Sequence, residues 1–115
     1  MRASLAIALV AAVLGAAAPA HAAGPQKGRY ECFFPNGFFT ADLYILSSKK
    51  YRVEKERGRY KVRGKRLRIQ SGPHKGKWKR VTWSKRPDLY GKRRTKILFH
   101  PKRRGSSLLE CTWLL

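Results

Sequence analysis

The chain has 115 residues, with 27 Lys and Arg against 6 Asp and Glu, for a formal net charge of +21. That length holds one domain with a modest core and no more. The charge excludes a mixed-sign solubility surface, and the absence of His-x-x-x-His, Gly-x-Ser-x-Gly or a paired-carboxylate constellation removes the usual footings for hydrolytic catalysis.

Met1-Arg2 precedes an apolar run from Leu5 to Ala18 and then Pro19-Ala20-His21-Ala22. A positive end, an apolar centre and a small-residue A-x-A site make a secretory signal peptide of residues 1–22, with cleavage after Ala22. The apolar run is short of the ~20 residues that span a bilayer. Export to the periplasm or the medium follows, and the mature chain keeps 26 Lys and Arg against the same 6 acids. Self-repulsion on that scale destabilises a compact state, while it attracts polyanions over about one Debye length, ~8 Å at physiological salt.

Residues 23–27 form a short flexible tail containing Gly24-Pro25, and the domain proper runs over 28–115. From Gly28 onward the apolar pattern has period two, with no sustained helical spacing. A first strand over Arg29–Phe34 is stopped by Pro35-Asn36-Gly37, whose Asn-Gly step is a turn signal. A second, Phe38–Leu46, leads into Ser47-Ser48-Lys49-Lys50, and a third covers Tyr51–Lys55.

The two-residue loop Gly64-Lys65 joins Arg59–Arg63 to Arg66–Gln70, with Gly first as a type II′ hairpin requires. It sets Val62 opposite Leu67, Tyr60 opposite Ile69, Arg63 opposite Arg66 and Lys61 opposite Arg68. Apolar pairs fall on one face and basic pairs on the other; a slip of one residue mixes them. After the loop Ser71–Gly76 comes a sixth strand, Lys77–Trp83, in which Trp78 and Arg80 point outward if Val81 and Trp83 point inward, unless a bulge intervenes. Ser84 to Arg94 is the longest connection. Strands over Thr95–His100 and Leu108–Leu115 flank a basic turn, Pro101–Ser107.

Eight short strands in a chain this size predict an all-β fold, a small antiparallel β-barrel closed by one disulfide, with a β-sandwich as the alternative. Cys32 and Cys111, near the two ends of an exported chain, form that disulfide. Two cysteines without a ligand His pair make no zinc site, and no metal or cofactor is expected.

Gly28-Arg29-Tyr30-Glu31-Cys32 early, Ser71-Gly72-Pro73 in the middle and Cys111 near the end resemble the layout of small secreted bacterial barrel domains of undefined role. The layout is also loosely similar to the periplasmic C-type lysozyme inhibitors, which open with a Tyr-x-Cys strand and form a disulfide-linked eight-stranded barrel. Their Ser-Gly-x-x-Tyr loop inserts into the enzyme; here Ser71-Gly72 fits and Lys75 stands at the Tyr position. Since C-type lysozymes are themselves basic, the resemblance implies the barrel and not the inhibitory activity.

The candidate binding residues are basic. Lys61, Arg63, Arg66 and Arg68 crowd the outer face of the hairpin, followed by Lys75, Lys77, Lys79 and Arg80, then Lys92, Arg93, Arg94 and Lys96, then Lys102, Arg103 and Arg104. A single charge run is usually a solvated face, but between Arg57 and Leu109 there is one acid, Asp88. The expectation is therefore an exported, non-enzymatic protein that binds anionic polymers: envelope phosphates, acidic glycans or nucleic acid. Trp78 either stacks on a base or sugar ring or packs in the core with Trp83 and Trp113. The alternative function is a protein inhibitor of an extracellular or periplasmic hydrolase, acting through the Ser71–Gly76 loop. His74 and His100, each beside Pro, are expected in ordinary surface roles, and Glu31, Asp42, Glu54 and Glu56 beside neighbouring Lys and Arg.

Overall fold

A computed structural model describes residues 24–87 and 90–115 and contains eight strands. They are β1 (Gly28–Phe33), β2 (Leu43–Ile45), β3 (Lys50–Val53), β4 (Glu56–Arg63), β5 (Arg66–Ile69), β6 (Trp78–Pro87), β7 (Arg93–Pro101) and β8 (Leu109–Trp113). Each pairs antiparallel with its chain neighbours, and β1 also pairs with β8, so the sheet is a closed barrel without free edges. Cys32 and Cys111 face each other across the β1–β8 seam and are disulfide-bonded, which ties the first strand to the last. The signal peptide expected over 1–22 lies outside the described residues.

An eight-stranded barrel is just wide enough for side chains to fill. Tyr30, Tyr51, Tyr60, Leu67, Val81, Trp83, Ile97 and Phe99 fill this one, all buried. The interior tyrosines and tryptophans carry polar tips that need partners. Tyr51 Oη donates to the Ser71 carbonyl at 2.8 Å, Tyr60 Oη to the Ser47 carbonyl at 2.6 Å and Trp83 Nε1 to the Gly64 carbonyl at 2.9 Å. Aromatic bodies thus make the core while their tips pin the loops over its two ends. Burial pushes the Tyr60 phenol up to about 12.

Up-and-down order sorts the connections. The β2–β3, β4–β5 and β6–β7 links lie at the end that holds both termini; β1–β2, β3–β4, β5–β6 and β7–β8 lie at the distal end. The hairpin register matches the expected pairs Tyr60↔Ile69, Lys61↔Arg68, Val62↔Leu67 and Arg63↔Arg66. Gly64 has φ +59° while Lys65 does not have positive φ, the sign pattern of a type II′ turn.

Several expected boundaries move. The connection expected over Ser84–Arg94 is largely strand: β6 and β7 stay paired out to Pro87↔Arg93. Lys55 belongs to the turn Glu54-Lys55 rather than to a strand, since Val53 pairs with Glu56. The expected strand Phe38–Leu46 is cut to Leu43–Ile45. Phe33 bridges Phe39 whereas Tyr30 pairs with Leu43, so one extra residue is inserted on the second strand, a β-bulge that breaks the alternation. In the expected tail, Pro25 is buried, the Gln26 carbonyl accepts from Tyr30 Oη and the Lys27 carbonyl accepts from Trp113 Nε1.

Candidate functional site: a basic cleft along the β5–β6 seam

β5 is four residues long and its ladder with β6 has two register pairs, Arg66↔Thr82 and Leu67↔Val81. Beyond them the strands part. On β6, Val81 pairs with Phe99 and Arg80 with His100, but Trp78 pairs with Pro101, so Lys79 is an extra residue and the strand bulges. The gap left beside β5 is a cleft of about 570 Å³. Arg63, Arg66 and Arg68 line it from the hairpin side, and Lys75, Lys79 and Arg80 from the other. No carboxylate lines it among the described residues, and none of these six side chains makes an ion pair or hydrogen bond there.

The inner wall is aromatic. The β6 bulge turns Trp78 toward the Phe99 side of the sheet, and the two rings lie 5.3 Å apart. Trp78 Nε1 donates to His74 Nδ1 at 3.0 Å. An indole N–H only donates, so the neutral imidazole carries its proton on Nε2. His74 also packs 4.4 Å from Phe99 and 5.9 Å from Tyr51, ring centre to ring centre. Burial, helped by the charge of Lys77, holds its pKa down to about 4. His74 is therefore a half-buried packing residue, which corrects the expected surface role. His100 lies in β7, where its Nε2 meets Thr82 Oγ1 at 3.0 Å, and does not line the cleft.

The loop 71–76 that rims the cleft is braced from beneath. Tyr51 Oη accepts from the His74 backbone N–H at 3.0 Å, and Ser71 Oγ accepts from the Arg59 N–H at 3.0 Å. Gly72, at φ +93°, passes so close to β4 that a Cβ there would lie 2.5 Å from the Gly58 Cα. Two glycines let the loop lie against the strand, and it holds Lys75 at the rim.

The basic residues expected to share one face are divided by the barrel. Lys61, Arg63, Arg66 and Arg68 are together on the outer face of β4 and β5. Lys79 and Arg80 join them from across the cleft, while Lys77 lines a neighbouring groove with Lys102 and Arg103. Arg104 belongs to that same distal turn, whereas Lys92, Arg93 and Arg94 lie at the end that holds the termini. Lys96 on β7 is held by Glu110 at 2.9 Å, and Arg94 Nη1 donates to the Trp113 carbonyl at 3.1 Å. Trp78 is a half-buried wall of the cleft, its ring against Phe99 and its N–H engaged by His74. Of the acids expected beside cations, Asp42 meets Arg29 at 3.6 Å.

The fold adds basic residues that the sequence reading did not single out. Lys50 pairs with Arg59 and Arg52 with Arg57 on β3 and β4, so like charges face each other directly in four successive pairs across β3–β5. Alternation at Arg57, Arg59 and Lys61 was the available signal; the partner strand was not. Arg52 is quenched in part, its guanidinium 4.1 Å over the Tyr44 ring. Among the described residues no group of three His, Cys, Asp or Glu side chains is placed to hold a metal ion.

No family model, curated protein or solved structure matches this chain. The resemblance to the lysozyme inhibitors rests on Tyr30, Cys32, Ser71, Gly72 and Cys111 alone.

Proposed function

We propose that the protein is an exported, non-enzymatic binder of anionic polymers, with the β5–β6 cleft at the centre of its binding face. The observation that carries this is a row of six unpaired cations along one cleft, beside four cross-strand pairs of like charge. Each such pair is unfavourable by a few tenths of a kcal/mol. A face that only kept the protein soluble would interleave signs. Guanidinium forks along a groove offer paired donors to phosphate, sulfate or carboxylate groups spaced along a chain. For an exported protein, envelope phosphates and acidic glycans come first, and nucleic acid second.

The experiment is retention on a heparin column, with Arg66→Gln, Arg68→Gln and Arg80→Gln combined and Lys96→Gln as control. The triple variant should elute at clearly lower salt while the control elutes with the parent. Equal elution of parent and triple variant would move the binding face elsewhere.

A second reading is supported by the bracing of the 71–76 loop, which presents Lys75 on a fixed backbone as an inhibitory loop must be presented. It makes the protein an inhibitor of an acidic hydrolase. Lys75→Glu would then abolish a 1:1 complex with the enzyme, whereas Arg66→Gln combined with Arg68→Gln would leave that complex intact.

A further inference from the structure

Phe33-Phe34-Pro35-Asn36-Gly37-Phe38-Phe39 places two phenylalanine pairs around one turn. Uninterrupted alternation would put Phe39 on the same side as Leu43 and Ile45, in the core. The bulge between Phe39 and Leu43 reverses that, and Phe39 pairs with Phe33 on the outer face. Phe33, Phe38 and Phe39 are 37%, 71% and 54% exposed, and the rings of Phe33 and Phe39 meet edge to face at 5.5 Å.

The turn is built rather than loose. Gly37 N–H donates to the Phe34 carbonyl at 2.9 Å, Phe34 N–H to the Phe38 carbonyl at 3.0 Å, and Phe38 N–H to Asn36 Oδ1 at 3.0 Å. Pro35 leads the turn and Gly37, at φ +87°, closes it, the form of a three-residue hairpin loop. Phe34 turns inward and packs against the core, so the other three rings are held out on an anchored base.

Cations flank this tip. Phe34 and Asn36 share a distal groove of about 520 Å³ with Lys77, Lys102 and Arg103, and no carboxylate lines it among the described residues. Of the acids near the tip, Glu110 faces Phe33 across the β1–β8 ladder and is neutralised by Lys96 at 2.9 Å. Glu54 and Glu56 lie in and next to the β3–β4 turn at the same end, beside Lys55 and Arg57.

The geometry points to a docking surface for an anionic lipid bilayer at this distal end. Binding a polyanion in the cleft makes no use of phenylalanine, and three rings fixed in water by a hydrogen-bonded turn need an apolar destination. A bilayer surface supplies both halves of what the tip presents: an acyl boundary for the rings and phosphate headgroups for Lys77, Lys102 and Arg103. An apolar protein partner would leave those three cations facing a surface that must carry acids in the same spacing. The tip is one turn deep, which suits insertion into the headgroup boundary and not a span. The surface adjoins the polyanion cleft at Trp78, but its reading does not depend on that one.

The test is co-sedimentation of the oxidised, exported protein with vesicles of one part phosphatidylglycerol to two parts phosphatidylcholine, against pure phosphatidylcholine. The parent should partition onto the anionic vesicles and not the neutral ones. Phe38→Ser with Phe39→Ser should lower partitioning by at least about tenfold, because each buried ring carries on the order of a decade of affinity. Heparin retention should stay at the parent value, and the circular dichroism spectrum should not change, since both side chains are exposed. Parent-like vesicle binding by this variant would reduce the association to charge alone and overturn the proposal. So would absence of vesicle binding by the parent, including the case in which sedimentation velocity finds a dimer that the Phe variant dissolves.

Discussion

The Trp78 indole gives its one N–H to His74 Nδ1, at 3.0 Å, a hydrogen bond in the wall of the basic cleft that forms only while that imidazole is neutral. Burial, and then the charge of Lys77, keeps it neutral down to about pH 4, whereas in the unfolded chain His74 titrates at its ordinary 6.5. Between those values the unfolded state binds more protons, so stability rises with pH. The contribution is fully present above pH 6.5 and is lost as pH falls toward 4, on the order of 3 kcal/mol in all. Urea midpoints measured from pH 7 to pH 4 should fall across that window. His74→Asn, which keeps an acceptor near the indole and cannot titrate, should flatten the profile; an unchanged slope in the variant would remove His74 as its source.

The two glycines where loop 71–76 meets β4 should be far less replaceable than the hairpin glycine. A Cβ at Gly72 would lie 2.5 Å from the Gly58 Cα and 2.7 Å from Tyr51 Oη, on a backbone at φ +93°. Gly72→Ala should destabilise by about 3 kcal/mol, through strain and overpacking together. Gly64, at φ +59° with nothing within 4 Å of its added Cβ, should lose only about 1 kcal/mol as Ala. Chemical denaturation at constant m-value separates the two.

Closing the β1–β8 seam by a bond that encloses 79 residues of chain separation limits the unfolded ensemble strongly. Replacing Cys32 and Cys111 together by Ser should cost about 2–4 kcal/mol. For a domain of this size that lowers Tm by more than about 10 °C, measurable by calorimetry.

Salt dependence reports how many cations engage a polyanion. On a DNA duplex used as probe, neutralising six phosphates gives a slope of log K against log salt near −5, from about 0.9 per phosphate. Combining Arg66→Gln, Arg68→Gln and Arg80→Gln should flatten that slope by about 3, whereas Lys96→Gln, which removes a cation already paired with Glu110, should leave it in place. A titration series at four or five salt concentrations distinguishes these outcomes.

Much of the fold was legible because two independent signals agreed. Gly64-Lys65 fixes a two-residue loop, and the alternation on either side of it admits one register; both point to Val62 opposite Leu67. The basic face of β4 and β5 follows from the same pairing. Less legible was the cleft, because it exists where pairing stops. Nothing in Lys77-Trp78-Lys79-Arg80 says which residue is the extra one, and the choice of Lys79 decides that Trp78 faces Phe99 and His74. The bulge before Leu43 is the same kind of event, and it exposes Phe39 where alternation had buried it.

By itself the sequence determined the all-β class, the strand count, the Cys32–Cys111 link and the excess of cations, because period, turn residues and charge are local properties of the chain. The closed structure decided which cations stand together: Arg63, Arg66 and Arg68 with Lys79 and Arg80, apart from Lys92–Arg94 and Lys102–Arg104. Neighbours around a barrel depend on bulges and on which end each connection reaches, and both are set by closing the whole sheet rather than by any one strand.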